Sequence, residues 1–337
     1  MFVARVSLLA SLTLALQYAQ AWPSDRDKPP GSIDCTELNQ LVVNEVARGQ
    51  IAEAEARLSS ALASGASDSQ PACAGLILNN LAAIMLNSAR LAEAEAFAHR
   101  ALHSLEAEHP PNDPVLLRPF QILAAARLRE GKIGSARQAF ERMRSIQAVR
   151  PEERALVDGM AAALLAAERR YGDAETEYLK AIADLEEAER LNTADGAALV
   201  QGLASAYLGE RRFEEAGRAL ARALAILAQA QDAVAVDLIN VLSLRAVLHT
   251  RLHQWRDAEA DLLSAIPLAS PKHQMDPSVI RSLYRNYAMV LRKMHRKREA
   301  QSMEAKAAAL DVPSAGLVDV TELVARSADR DNSRHKK

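Results

Sequence analysis

One short motif recurs seven times along the 337-residue chain, and this repetition constrains the fold more than any other feature. In most copies a bulky residue is followed by one or two charged or polar residues, an alanine and then further small residues, as in the segment ERRFEEAGRALARAL. We call the alanine after the polar pair the marker alanine. The seven markers are Ala54, Ala94, Ala136, Ala174, Ala216, Ala258 and Ala300. Their spacings of 40, 42, 38, 42, 42 and 42 residues indicate an array of structural repeats.

Each copy of the motif has the periodicity of one helical face. A bulky residue usually lies three positions before the marker, as Phe213 does, and a small residue usually lies seven after it, as Ala223 does. A second apolar-periodic segment lies about twelve residues upstream of most markers, and Pro- and Asp-containing stretches such as EHPPNDP separate the pairs. Each unit is therefore predicted to be a helical hairpin.

Composition agrees with stacked helices. Alanine has the highest helix propensity, and it lets two helices approach closely. The chain is 49% hydrophobic, and its 13 glycines and 13 prolines are few for its length. A single hairpin buries too little apolar surface to fold alone, so neighbouring hairpins must stack. We predict an all-α fold, a superhelical solenoid of about seven antiparallel helix hairpins.

These residues resemble the tetratricopeptide repeat. The likeness is best in GLASAYLGERRFEEAGRALARAL. There the family positions are occupied by Leu203, Ala204, Tyr207, Phe213, Ala216 and Ala223. The repeat here is close to 42 residues rather than the usual 34, which is similar to the long repeats of the kinesin-light-chain type. The resemblance covers roughly residues 36–310. The first and last repeats are atypical, with Glu45 and Lys297 at positions where the family has aromatic residues.

The ends of the chain have a different character from the repeats. Residues 1–21 contain Arg5, an apolar run over 6–16 and an Ala-Gln-Ala site, which is typical of an export signal. A membrane-spanning helix is the alternative, but it needs about 20 apolar residues. We expect a linker over 22–34, the solenoid over 35–310, and a capping segment with a mobile tail over 311–337. The expected destination is the periplasm or the medium, without stable membrane insertion after cleavage.

Cys35 and Cys73 are the only two cysteines of the chain. In an oxidising compartment an even number of cysteines favours a disulfide. The alternative is two buried thiols that pack as small apolar side chains.

No residue pattern indicates catalysis, so we predict neither an enzyme nor a cofactor. His249 and His253 could form half of a metal site, but no further ligands have suitable spacing, and solvated histidines are the simpler interpretation. The basic run over 291–300 could contact phosphates or anionic lipid, or could simply be a solvated face. Nearly balanced charge and only 4% aromatic residues argue against a nucleic-acid partner.

The resemblance implies a ligand groove on the concave side, lined by the first helix of each repeat. The family's groove positions here hold Asn79, Asn80, Arg118, Gln121, Gln201, Ser205, Asn240, Ser243, Arg285 and Asn286. Amide side chains can donate to and accept from a peptide backbone, and arginine can pair with carboxylates. Alternatively, these residues only keep an exposed face soluble. The fourth repeat interrupts the series with Leu156, Gly159, Met160 and Ala163, which could form an apolar pocket.

The predicted function is that of a non-enzymatic scaffold that holds a peptide or protein segment in its concave groove. The alternative is an assembly protein that oligomerises through its ends or its convex face. The sequence identifies neither the partner nor the oligomeric state.

Overall fold

The computed structural model describes residues 34–64, 71–269 and 275–310, and these fold into seven consecutive helix hairpins. The first helices of the hairpins are α1 (Cys35–Ala47), α3 (Pro71–Asn87), α5 (Leu117–Arg129), α7 (Pro151–Ala167), α9 (Ala194–Glu210), α11 (Ala235–Arg251) and α13 (Pro277–Lys293). The second helices are α2 (Ile51–Ala63), α4 (Leu91–Glu106), α6 (Ile133–Arg144), α8 (Tyr171–Glu187), α10 (Phe213–Leu227), α12 (Trp255–Leu268) and α14 (Lys297–Ala308). A short 3-10 turn, Pro114–Leu116, precedes α5. The predicted all-α solenoid is confirmed.

The turn inside each hairpin is the same in all seven repeats. Five residues before each marker alanine, the chain enters the left-handed region of φ. The residues are Gly49, Ala89, Gly131, Arg169, Arg211, His253 and His295. In the fifth repeat the amide of Arg212 then donates to the carbonyl of Tyr207 at 2.9 Å, and the other repeats have the equivalent bond. This is the Schellman arrangement that ends a helix and satisfies its last carbonyls.

The marker alanines lie where helices cross. All seven have no exposed surface. Close approach is also visible at Gly202 in α9, because a Cβ built there would lie 2.4 Å from Cζ of Tyr178 in α8. The buried ring of Tyr178 therefore packs directly on the backbone of the next hairpin. Small residues set the distance between repeats.

The helices form two layers. The first helices of successive repeats contact each other from α3 through α11, whereas each second helix contacts its own partner and the first helix of the next repeat. Burial differs accordingly, since α9 buries 13 of its 17 residues and α10 buries 6 of 15. We call the layer of first helices the inner layer. Burial is lower at the start of this layer, where α1 buries 3 of its 13 residues.

A set of ion pairs joins successive second helices on the outer side. The residue that caps each second helix, four positions before the marker, is often an arginine. Arg212 Nη1 lies 2.6 Å from Glu175 of the preceding repeat, and Arg296 Nη1 lies 2.5 Å from Glu259. Arg90 makes the same contact to Glu55 at 2.9 Å. The paired side chains are partly exposed, so solvent screens each pair and its contribution to stability is small.

The two ends of the solenoid meet. The amide of Asp276, just before α13, donates to the carbonyl of Ser88, in the turn of the second repeat, at 3.0 Å. Ala89 of that turn belongs to the buried apolar cluster of the sixth and seventh repeats, together with Val236 and Met275. We call these five residues the closure contact. Contact between parts of the chain more than 140 residues apart shows that the superhelix is tightly wound.

Cys35 and Cys73 are adjacent, in α1 and α3. Their sulfur atoms are in bonding position and their Cα atoms lie 5.9 Å apart, within the usual range for a disulfide. The predicted signal segment (1–21), nearly all of the linker (22–34) and the capping segment (311–337) lie outside the described residues. None of the helices in the described part of the chain is both long and apolar enough to cross a membrane.

Candidate functional site

One polar position is repeated along the inner layer. It lies fifteen residues before each marker alanine, and it is polar in six of the seven repeats. The residues are Asn39, Asn79, Gln121, Gly159, Gln201, Ser243 and Arg285. We call this series the inner polar column. Five of its members were predicted as groove residues, and Asn39 extends the series into the first repeat.

The structure corrects the expected exposure of these side chains. The resemblance to tetratricopeptide repeats implied that ten residues line a concave groove, and eight of them are 8% exposed or less. The eight are Asn79, Asn80, Arg118, Gln121, Gln201, Ser205, Ser243 and Asn286. Asn240 is half-buried, and only Arg285 is exposed. The physical reason is that the first helices pack on each other and the closure contact holds the superhelix tightly wound.

Some of the buried polar groups pair across repeats. Asn80 Nδ2 donates to Asn39 Oδ1 at 2.7 Å and so joins the first two repeats. Arg118 donates to Gln121 Oε1 at 2.8 Å and to Asp195 Oδ2 at 2.5 Å, which joins the third repeat to the fifth. The first bond thus connects neighbouring first helices, and the bond from Arg118 to Asp195 spans the fourth repeat.

Other polar atoms of the inner polar column have no hydrogen-bond partner among the described residues. They are Asn39 Nδ2, Asn79 Oδ1, Gln201 Oε1 and Ser243 Oγ. An unsatisfied buried polar atom costs about 1–3 kcal/mol. Four such atoms at one repeat-equivalent position therefore mark a place where water or a polar ligand would be bound.

A buried carboxyl group in the sixth repeat was not identified from the sequence. Asp237 is 2% exposed, and its Oδ2 accepts a hydrogen bond from the amide of Val234 at 2.9 Å, which caps α11. Burial is the main cause that raises the pKa of Asp237 to about 8, and the nearby carboxylates of Asp232 and Asp195 raise it further. The hydrogen bond from the amide of Val234 and the positive charge of Arg129 act in the opposite direction and lower this pKa. Asp237 is therefore largely protonated at neutral pH.

The fourth repeat contributes apolar side chains to the inner layer, as its sequence indicated. Leu156, Met160 and Ala163 are all buried in the main core, and Gly159 occupies the column position. The column is thus divided into an N-terminal part over three repeats and a C-terminal part over another three.

Two histidines and one basic run were the other candidate binding residues in the sequence. His249 Nδ1 lies 3.1 Å from Asp261 Oδ2, without the geometry of a hydrogen bond, while His253 occupies the left-handed position of a turn. Within the described residues no group of three His, Cys, Asp or Glu side chains could hold a metal ion. In the basic run, Arg292 and Arg296 make ion pairs with Glu304 and Glu299.

Solved structures with the same architecture are proteins built from tetratricopeptide-like helical repeats. A Rap protein complexed with competence and sporulation factor has a TM-score of 0.59 and 15% identity, covering 89% of this chain and 78% of that chain. The APC/C hetero-tetramer Cut9-Hcn1 has a TM-score of 0.57 and 15% identity, covering 89% of this chain and 50% of that one. BtubC from P. vanneervenii has a TM-score of 0.50 and 19% identity, covering 68% and 91%. No family model and no curated protein sequence matches the chain.

At these identities the likeness establishes the fold alone. The chain is an all-α superhelical solenoid of the tetratricopeptide type. A shared fold does not establish a shared function, so the function has to be argued from the residues of this chain.

Proposed function

We propose that the protein is a non-enzymatic scaffold whose inner layer binds an extended segment of a partner protein. The observation that carries this proposal is the inner polar column, where four polar atoms at equivalent positions lack partners within the described residues. These atoms lie in the first, second, fifth and sixth repeats, on either side of the apolar fourth repeat, and a partner segment that runs along the inner layer would pass each of them.

The chemistry of the column favours a peptide backbone as the ligand. Asn79 and Gln201 offer free carbonyl oxygens that can accept from backbone N–H groups, and Asn39 offers a free Nδ2 that can donate to a backbone carbonyl. Such bonds give affinity with little dependence on the partner's side chains. Arg118, three residues before the column member Gln121, already pairs with Asp195, and Arg285 is the one charged member of the column itself.

Binding requires the inner layer to widen, because the column side chains are buried in the closed superhelix. Two of the similar structures contain partners, namely competence and sporulation factor with the Rap protein and Hcn1 with Cut9. Those partners belong to those two proteins. Because the two proteins share the fold of this chain, they support the proposal that this chain also binds a partner.

The test uses a displayed library of random peptides selected on the folded protein, followed by titration of the recovered peptides. The double variant Asn79→Ala, Gln201→Ala should weaken binding about tenfold or more, because it removes two hydrogen bonds of roughly 1 kcal/mol each. A matched double variant on the outer surface, Glu214→Ala with Arg218→Ala, should bind as the wild type does. Recovered peptides that bind all three proteins equally would contradict the proposal, and so would a selection that recovers none.

The described residues give the assembly alternative no continuous surface to use. The large exposed apolar side chains are Leu41, Val149, Leu179, Leu252 and Leu263. They are spread along the array, with Leu41 in α1, Val149 in the loop before α7, Leu179 in α8, and Leu252 and Leu263 in the sixth repeat.

We also propose that the chain is exported. The support is the signal-like pattern of residues 1–21 together with the bonding position of Cys35 and Cys73. Mass measurement of the protein purified from its native source tests this, because export predicts a mature N-terminus at Trp22. An intact N-terminus on protein that stays inside the cell would contradict it.

A further inference from the structure

A cavity of about 240 Å³ lies beside the closure contact, separate from the inner polar column. One wall comes from the turns of the first two repeats, around Gly49 and Ser88. The other comes from residues 233–236, before and at the start of α11, and from Met275. The cavity therefore bridges the two ends of the superhelix, and any molecule bound in it would contact both.

Most of the cavity wall is apolar. Val46, Ile84, Val236 and Met275 line it and are each at most 7% exposed. The volume lies below the range of about 300–1,000 Å³ that is usual for drug-sized ligands. The cavity thus suits a small apolar group.

Two polar groups at this cavity lack partners. Asn87 lines it, and its Oδ1 atom is buried with no hydrogen-bond partner among the described residues. Arg48 also lines it, and the described residues provide no ion pair for its exposed guanidinium group. An orphaned acceptor calls for an N–H or O–H donor, and an unpaired guanidinium calls for an anion, most favourably a carboxylate.

We propose that this cavity binds an apolar α-amino-acid unit with a free carboxylate. The apolar side chain of the ligand would pack against the apolar wall of the cavity. The N–H group of the ligand would donate to Asn87 Oδ1, and its carboxylate would pair with Arg48. All three features occur together in a free apolar amino acid and in the C-terminal residue of a protein chain. Bound ligand would join the first two repeats to the sixth and seventh.

The experiment measures binding by calorimetry on the full mature chain, with leucine, N-acetyl-leucine, N-acetyl-glycyl-leucine and the C-terminal amide of each as probes. The carboxylates should bind with Kd values of about 1 mM or below, and the amides at least about tenfold more weakly. Binding of leucine alone identifies a free amino acid as the ligand, whereas binding of the acetylated forms identifies a chain end. Both outcomes support the site.

Matched variants test the two polar contacts. Arg48→Gln alters an exposed side chain and should preserve folding while weakening carboxylate binding about tenfold or more. Asn87→Leu should weaken it as well, and Arg218→Gln, which alters an exposed arginine in α10, should have no effect. Failure of every carboxylate to bind at millimolar concentration would overturn the proposal. Equal binding of amides and acids, or an unaffected Arg48→Gln protein, would also overturn it. None of these results depends on the inner polar column.

Discussion

At the residue scale, the marker alanines are the positions where size matters most. Ala216 has no exposed surface, and it lies near the start of α10, where that helix crosses α9. Arginine at this position would force a long charged side chain into the contact. We expect Ala216→Arg to lower the free energy of unfolding by roughly 3–5 kcal/mol, measured by urea denaturation.

A matched control lies on the same helix. Ala221 is exposed, so Ala221→Arg should change the stability by less than about 0.5 kcal/mol. Equal stability of the two variants would show that the register assigned to the repeats is wrong.

Asp237 should make stability depend on pH. Its pKa in the folded chain is about 8, well above the ordinary value of 3.8, so from about pH 4 to pH 8 the unfolded chain loses a proton that the folded chain keeps. Stability due to this group therefore falls as pH rises across that window. Asp237→Asn removes the effect and keeps an acceptor for the amide of Val234.

Thermal unfolding at a series of pH values checks this expectation. The variant and the wild type should have the same melting temperature below pH 4. Above pH 4 the melting temperature of the variant should exceed that of the wild type by a margin that grows up to about pH 8, the folded-state pKa of Asp237. A difference in melting temperature that is constant with pH would mean that Asp237 is ionised in the folded protein.

At the scale of elements, the repeated turn predicts that substitutions in two neighbouring repeats change the stability of the protein in opposite directions. Arg169 adopts φ of 68° and Gly131 adopts φ of 80° at the equivalent position. A side chain in the left-handed region costs roughly 1–2 kcal/mol, which is partly offset by the greater freedom of glycine in the unfolded chain.

Arg169→Gly should therefore stabilise the protein by about 0.5–1 kcal/mol, and Gly131→Ala should destabilise it by a similar amount. A Cβ at Gly131 would meet no atom within 4 Å, so steric crowding cannot account for the loss. Chemical denaturation measures both. Changes of the same sign would contradict the turn assignment.

The helices and their pairing could be predicted from the sequence because the spacing of the marker alanines reports local periodicity repeated seven times. The left-handed turn residues were harder to recognise, since five of the seven are not glycine and backbone hydrogen bonding fixes their conformation. Burial of the groove residues could not be predicted at all. It depends on the rotation between hairpins, which accumulates over seven repeats and brings Ser88 to Asp276.

At the scale of the whole molecule, a bond between Cys35 and Cys73 would attach the first repeat to the second. A disulfide that closes a loop over a separation of 38 residues stabilises a chain by about 4 kcal/mol in the chain-entropy model. We expect the air-purified mature protein to contain no free thiol, and reduction should lower its melting temperature. Thiol titration in denaturant measures this, and two free thiols before reduction would refute the bond.

The closure contact should control the overall dimensions. Met275 is 7% exposed within the cluster that receives Ala89. Met275→Asp should separate the two ends and increase the radius of gyration measured by small-angle X-ray scattering, while the helical circular dichroism is retained. Val149→Asp, at a side chain that is 65% exposed, serves as the control and should leave the radius unchanged. An unchanged radius in Met275→Asp would show that this contact does not hold the ends together.

The closure contact also limits how a gene for this protein can change in length. An open array of repeats tolerates duplication or loss of an internal unit, because each unit contacts only its neighbours. Here the turn at Ser88 must meet the start of α13, so the number of units between them sets both the rise and the rotation that bring these two places together. Deleting or adding a single unit of about 42 residues would leave every local contact possible and still prevent the ends from meeting.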